Sequence, residues 1–282
     1  MAQKKKSQAP SSGKWFSGRN VIVTGASSGI GRDIGETFAS LGAQVALLAR
    51  RENMLDEIAE KIRKDGGIAL PIKCDVTSES DVRRAIDHVD RTYGPVDILV
   101  NNAGVSIPAK ISEMNVADLR RMMDINFFGT VHATQAVLST MQKAGRGNIV
   151  NVASLAGRRG VSPLGAYCAT KFAVVGFTEA LRVELFGTGI SASLVMPGLV
   201  DTPMIREFEG QRIPTGIAMP ARWVTWGVLA AVTMGLAEVD VPFGSATAEK
   251  LASLFPNLAG GMLGAGSRML EYLSAWTGFG VR

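Results

Sequence analysis

Apolar positions fall along this chain in two alternating rhythms. Short, β-branched runs occur at 20–25 (NVIVTG), 43–49 (AQVALLA), 68–76 (IALPIKCDV), 96–104 (VDILVNNAG), 147–154 (GNIVNVAS) and 190–198 (ISASLVMPG). They are nearly continuous in apolar character, as strands covered on both faces should be. Between them, residues 29–41, 53–65, 79–93, 115–143 and 165–186 repeat their apolar positions at helical spacing. Strands alternating with helices predict an α/β chain: one doubly wound parallel sheet with helices on both faces. A seventh strand is expected in VDVPF, and the portion beyond residue 200 reads as less regular. The expected organisation is a disordered basic tail over 1–17, one domain over 18–244, and a partly helical apolar extension over 245–282.

Composition narrows the classes. The chain has 282 residues, of which 46% are hydrophobic and 20% charged, so a sizeable core can form and wholesale disorder is excluded. The net charge of +5 would suggest a nucleic-acid partner, but three lysines stand in the opening MAQKKKSQAP and the others are scattered among acids. A solvated surface with a basic tail is the better reading, and no nucleic-acid role is expected. Cys74 and Cys168 are too few for a disulfide framework or a metal cluster, which suits a reducing, cytoplasmic setting. His88 and His132 fall in amphipathic helices and make no ligand pair, so no metal site is expected. The most apolar stretch, WVTWGVLAAVTMGLA at 223–237, is shorter than the ~20 residues that span a bilayer. The basic N-terminus lacks the apolar core of a secretory leader, so a soluble protein is expected.

Two local patterns carry chemistry. VIVTGASSGIGRDIG places Gly25, Gly29 and Gly31 directly after the first strand and at the mouth of the first helix. Glycines let a backbone approach a pyrophosphate, and a helix N-terminus offers free N–H groups. The second strand ends in LLARRE, with Arg50 and Arg51 where an NAD-binding chain usually has an acid for the ribose. Arginine matches a 2′-phosphate in charge and geometry, which favours NADP(H) over NAD(H). The other pattern is GAYCATKFAVVGF, which sets Tyr167 and Lys171 four residues apart on a helix and so on one face. A nearby ammonium lowers a phenol pKa from about 10 toward the working range. By itself the pair reads better as a surface tyrosine stacked along a lysine stem.

Seven motifs in one order resolve that ambiguity: TGASSGIG (24–31), CDV (74–76), NNAG (101–104), DINFFGT (124–130), NVAS (151–154), YCATK (167–171) and PGLVDTPM (197–204). With them the chain strongly resembles the classical branch of the short-chain dehydrogenase/reductase family, over about residues 18–205. The resemblance implies a single Rossmann-type sheet and an oxidoreductase that moves a hydride between NADP(H) and a carbonyl or secondary alcohol. It makes Tyr167 the general acid/base and gives Lys171 two tasks, lowering the tyrosine pKa and binding the nicotinamide ribose. Ser154 holds the substrate oxygen, and Asn126 positions a water relaying protons to Lys171. Around the cofactor it places Gly25, Ser27, Ser28, Gly29, Ile30 and Gly31 at the pyrophosphate turn, with Arg50 and Arg51 at the 2′-phosphate. Asp75 and Val76 flank the adenine, and Asn102, Ala103 and Gly104 support the cofactor at the next strand end. Pro197, Gly198 and Thr202 border the nicotinamide. A homo-oligomer, dimer or tetramer, is implied as well.

The chain departs from the family after residue 237, where AEVDVPFGSATAEKLASLF and an apolar, glycine-interrupted tail replace the usual short ending. That tail is expected to pack on the domain, on a partner subunit or peripherally on a membrane. Ile205, Phe208, Ile213, Ile217 and Met219 are expected in an apolar lid, with Met262, Leu263, Met269, Leu270, Tyr272 and Trp276 in the tail. Together they suggest a large hydrophobic ketone or alcohol, steroid-like or acyl-chain. The contrasting reading is a non-catalytic, dinucleotide-sensing module with the same fold.

Overall fold

The computed structural model describes residues 14–206, 218–245 and 261. Within them lie β1 (Asn20–Thr24), β2 (Gln44–Ala49), β3 (Ile68–Lys73), β4 (Ile98–Asn101), β5 (Gly147–Val152), β6 (Ile190–Pro197) and β7 (Glu238–Val241). They form one sheet in the order β3-β2-β1-β4-β5-β6-β7, with every neighbouring pair parallel. The helices are α1 (Gly29–Ser40), α2 (Glu52–Lys64), α3 (Glu79–Tyr93), α4 (Val116–Met123), α5 (Gly129–Ala144), α6 (Gly165–Glu184), α7 (Pro203–Arg206) and α8 (Ala221–Met234).

The strand runs look continuously apolar because their alternate side chains serve two cores. Val21, Val23, Val45, Leu47 and Val100 share one core with Ile34 and Phe38 of α1 and with Val224 and Val228 of α8. Ile22, Ala46, Leu48 and Leu99 share the other with Ile86 of α3, Val137 and Met141 of α5, and Leu181 of α6. Each such fully buried side chain contributes roughly 1.5–3 kcal/mol, so both faces of the sheet are firmly covered. β3 is an edge strand, which is why it tolerates Pro71 in its middle. After β3 the chain returns to the far side of β1 to lay down β4. The loops following β1 and β4 therefore part in opposite directions and open a crevice at the C-terminal edge.

Four local differences from the sequence reading matter. Strand pairing stops at Lys73, Asn101 and Val152, so Cys74–Val76, Asn102–Gly104 and Ser154 stand on loops beyond the strand ends. Packing starts ahead of residue 18: Phe16 is 6% exposed and meets Phe38 edge to face at 4.9 Å. The run 115–143 is not one helix, because a π-helical turn at Asp124–Phe128 separates α4 from α5. Its extra residue brings Ile125 and Asn126 inward together. Finally, α8 is a regular helix in the portion that reads as irregular. It is apolar almost all round, with Val224 and Val228 buried while Trp223 and Trp226 are exposed, so no helical period shows in its sequence. Among the described residues no helix is long and apolar enough to cross a membrane.

Candidate active site

Backbone glycine builds the first wall of the crevice. Gly25 and Gly29 have φ of 66° and 55°, a left-handed conformation that glycine adopts without steric cost. A Cβ on Gly25 would lie 2.7 Å from Ala103 Cα, so the loop after β1 rests directly on the loop after β4. A Cβ on Gly31 would overlap Gly25 O and Asn102 Nδ2, so Gly31 is a packing residue behind the wall. Thr24 ties the two loops: its Oγ1 accepts from Asn102 N at 3.0 Å and Ala103 N at 3.1 Å, while Asn102 Nδ2 donates to Thr24 O at 3.1 Å. Sequence reasoning passed over Thr24; the signal was a hydroxyl closing an otherwise apolar strand. Ser28 is the N-cap residue of α1 but makes no side-chain cap bond there.

Instead, Ser28 turns toward arginine. Arg51 Nη2 donates to Ser28 Oγ at 2.7 Å and to Ser27 Oγ at 2.9 Å, and Arg51 Nε reaches Ser27 Oγ at 3.2 Å. The guanidinium is thereby fixed over the glycine turn. This corner belongs to a cleft of about 540 Å³ lined by Gly25, Ser27, Ser28, Arg50, Arg51, Asp75, Val76, Ala103 and Gly104. Asp75 accepts from Thr77 N at 3.0 Å, and Val76 O lies 3.0 Å from His132 Nδ1, which gives that histidine a structural task. The cleft also takes in Ser106 and Arg121, neither of which the motifs single out. Ser106 keeps a buried hydroxyl oxygen without a hydrogen-bond partner among the described residues. Arg121 lies on a helix surface, where one more cation carries no signal in sequence.

A second recess of about 150 Å³ adjoins the first at Gly25, Ser28 and Gly104. It gathers Gly29, Ile30, Asn102, Ser154, Tyr167, Lys171, Pro197, Gly198 and Thr202, with Met204 and Ile205 of α7. Ser154 Oγ donates to Pro197 O at 3.2 Å and accepts from Ala156 N at 3.1 Å. It also shares a hydrogen bond with Tyr167. Lys171 is 5% exposed; its Nζ donates to Val152 O at 3.0 Å and stands 5.7 Å from the Tyr167 ring centroid. Thr202 packs its methyl against the Gly29 turn and donates to Val200 O at 3.4 Å.

The electrostatics correct one expectation. Burial pushes Tyr167 up to about 12, against the smaller opposing pull of the Ser154 hydrogen bond. Burial also brings Lys171 down to about 8. The lysine ammonium lies against the ring and is directed at a backbone carbonyl, so in this arrangement desolvation outweighs it at the phenol. Asn126 stands outside both recesses. Its Nδ2 donates to Val105 O and Thr170 Oγ1, both at 2.9 Å, and its Oδ1 accepts from Val105 N at 2.8 Å. It is nonetheless close to Lys171, since a Cβ on Gly104 would meet Asn126 Oδ1 at 3.4 Å and Lys171 Nζ at 3.7 Å.

Comparison with known proteins adds a pattern shared well beyond these residues. The profile of the short chain dehydrogenase family matches residues 19–212. An uncharacterized oxidoreductase of Staphylococcus epidermidis is 38% identical over 183 residues, covering 65% of this chain and 78% of its own. The ketoacyl reductase HetN of Nostoc sp. is 32% identical over 205 residues, covering 73% of this chain and 69% of its own. Among solved structures, a variant of actinorhodin polyketide ketoreductase with NADPH is similar at a TM-score of 0.74 and 33% identity. That match covers 79% of this chain and 95% of the ketoreductase. A short-chain dehydrogenase/reductase from Burkholderia phymatum in complex with NAD gives a TM-score of 0.75 at 26% identity, covering 80% and 89% of the two chains.

Proposed function

The chain belongs to the short-chain dehydrogenase/reductase family, and on that premise we propose that it is an NADP(H)-dependent enzyme interconverting a carbonyl and a secondary alcohol. One observation carries the reading: Ser154, Tyr167 and Lys171 meet in a recess that opens beside a glycine turn. The cradle suits a dinucleotide, because Gly25 and Gly29 turn in left-handed backbone at the mouth of α1 and line the recesses with no side chain of their own. Ser28 leaves the first N–H groups of α1 without a side-chain cap, as a phosphate site requires. Arg51, held by Ser27 and Ser28, together with Arg50, supports a 2′-phosphate and hence NADP(H). Asp75 and Val76 would flank the adenine; Asn102, Ala103, Gly104, Pro197, Gly198 and Thr202 would line the remainder.

The bound cofactor would supply or accept the hydride at the carbonyl carbon. In reduction, Tyr167 Oη gives its proton to the substrate oxygen as negative charge develops there, and Ser154 Oγ donates a second hydrogen bond to that oxygen. Lys171 keeps its positive charge beside the phenol below about pH 8. Asn126, close to Lys171 over Gly104, positions the water through which the lysine exchanges protons with solvent.

A hydrophobic substrate is supported by the apolar rim. Met204 and Ile205 line the recess. Ile111 is 78% exposed and lies against Gly165, two residues before Tyr167. The lid residues Phe208, Ile213 and Ile217, and the tail residues Met262, Leu263, Met269, Leu270, Tyr272 and Trp276, lie outside the described residues. Exposed Phe172 and Val183 on α6, and Phe186 just beyond its end, support a homo-oligomer, and two buried free cysteines suit the cytoplasm. The deciding experiment follows reduced-nicotinamide absorbance with ketones of rising chain length and with each cofactor. Turnover with NADPH that improves with chain length is expected. Tight NADPH binding with no turnover on any carbonyl or alcohol would leave a dinucleotide-binding module instead, and a flat series would remove the lipophilic substrate.

A further inference from the structure

The turn that carries Ser154 is held against α6 at two places beyond the recess. The chain leaves β5 through Ser154 into a short 3-10 turn, Leu155–Gly157, in which Gly157 N donates to Ser154 O at 2.8 Å and Arg158 N to Leu155 O at 2.9 Å. A Cβ on Gly157 would lie 2.9 Å from Lys171 O and 3.1 Å from Lys171 C. Backbone thus packs on backbone at the helical turn that also presents Tyr167 and Lys171, and only glycine permits that separation. One residue later, Arg158 reaches outward along the same helix. Its Nη1 meets Glu179 Oε1 of α6 at 2.9 Å, and its Nη2 meets Glu238 Oε1 at the start of β7 at 2.8 Å. The Arg158 side chain is 18% exposed and Glu238 22%, whereas Glu179 is 46% exposed, so of the two arms of this three-element ion pair the one to β7 is the enclosed one. Arg182, also on α6, stands 4.0 Å from the same Glu238 oxygen and donates to Ala192 O and Ala237 O, which fixes the β7 end of the clamp.

Resting on the reading of Ser154 and Tyr167 given above, we propose that Gly157 and Arg158 are positioning residues that set the Ser154 hydroxyl against the Tyr167 hydroxyl. Neither is assigned contact with substrate or cofactor. Ser154 Oγ bonds locally to Ala156 N and to Pro197 O, which leaves its distance from α6 to its bond with Tyr167, to the bond from Lys171 Nζ to Val152 O, and to the packing of the turn that follows it. The clamp supplies that packing from both sides, by close approach at Gly157 and by charge at Arg158. Guanidinium forks suit this task because their donor geometry is rigid, whereas an ammonium on its flexible stem fixes no single geometry between two carboxylates.

The test compares Arg158→Gln, Arg158→Lys and Gly157→Ala, alone and, for Arg158→Gln, combined with Ser154→Ala. Two readouts are taken at neutral pH. One is kcat on a good ketone together with the Kd for NADPH. The other is the Cζ resonance of Tyr167 in tyrosine-labelled full chain, assigned by its loss in Tyr167→Phe among only three tyrosines. Arg158→Gln is expected to lower kcat about tenfold with Kd within twofold, since the clamp acts through hydroxyl placement. The Tyr167 resonance should move toward its Ser154→Ala position, and Arg158→Lys should restore part of both. With Ser154→Ala already present, Arg158→Gln should change neither readout further. Equal losses in the two backgrounds, or an unmoved Tyr167 resonance in a folded Arg158→Gln protein, overturn the proposal. If the unmodified protein turns over no substrate, the enzymatic reading falls, while the resonance still decides the clamp.

Discussion

Tyr167 and Lys171 are both placed where burial works against charge, and that sets how each should respond to substitution and pH. Tyr167→Phe keeps the ring and removes only the transferable proton, so turnover should fall at least ~10²-fold with little change in NADPH affinity. Near-normal turnover in that variant would end the assignment. The two pKa values then set the pH response. Tyr167 stays protonated to about 12, so it remains a donor throughout the neutral range. Lys171 loses its charge near 8, so kcat/KM for reduction should be level below that pH and fall above it. Stability carries the same signature. Between about 8 and the unfolded lysine value of about 10.5 the unfolded chain binds the extra proton, so stability from this group rises with pH. Relative to Lys171→Met, the native chain should gain up to about 3 kcal/mol across that window in urea titrations. A gain confined to lower pH, or none, would show that Lys171 is not desolvated as described. Of these residues, Ser154, Tyr167 and Lys171 were legible because their spacing and motifs are local. The pKa directions were not, because they come from chain segments distant in sequence that exclude water.

At the scale of elements, the glycine turn and α8 differ in how openly the sequence states them. Gly31 was legible as part of a glycine turn, yet its task differs from that of Gly25: it lets α1 start against Asn102 rather than lining the cleft. Gly31→Ala should therefore cost roughly 1–3 kcal/mol of stability through overpacking and also weaken NADPH binding, read by thermal melts and by fluorescence titration. Unchanged values for both would mean the turn has more slack than its contacts imply. α8 gave no helical period because apolar residues face both the core and the outside. One of its anchors is Thr225, which is 1% exposed and donates from Oγ1 to Asp33 of α1. Thr225→Val keeps the volume and leaves that carboxylate one donor short, so a loss of about 1–2 kcal/mol in urea unfolding is expected, with activity unaffected. The π-helical turn at Asp124–Phe128 was likewise hidden, since a single extra residue in a helix leaves composition and spacing almost unaltered.

For the whole molecule, cofactor choice should appear as linkage between binding and folding. A ligand that binds only the native state at a hundred times its Kd stabilises by about 2.7 kcal/mol. At equal concentration NADPH should therefore raise Tm more than NADH, and Arg51→Ala should largely abolish the difference. Equal shifts with both cofactors in the native chain would count against the 2′-phosphate site. By itself the sequence determined the alternation of strands and helices as far as β6, the two-sided burial of the strands and the order of the motifs. Those are properties of neighbouring residues, in which hydrophobic period and glycine placement act over a few positions. Tertiary structure alone decided the rest: where strand pairing stops, so that Asn102 and Ser154 leave the sheet; the tie from Thr24 to Asn102; and the capture of Arg51 by Ser27 and Ser28. It also decided the direction of the Tyr167 pKa and the grip of Arg158 on Glu179 and Glu238. The physical reason is common to all of these. Each depends on distance and desolvation between groups far apart in the chain, and only the packed sheet with its helices sets those two quantities.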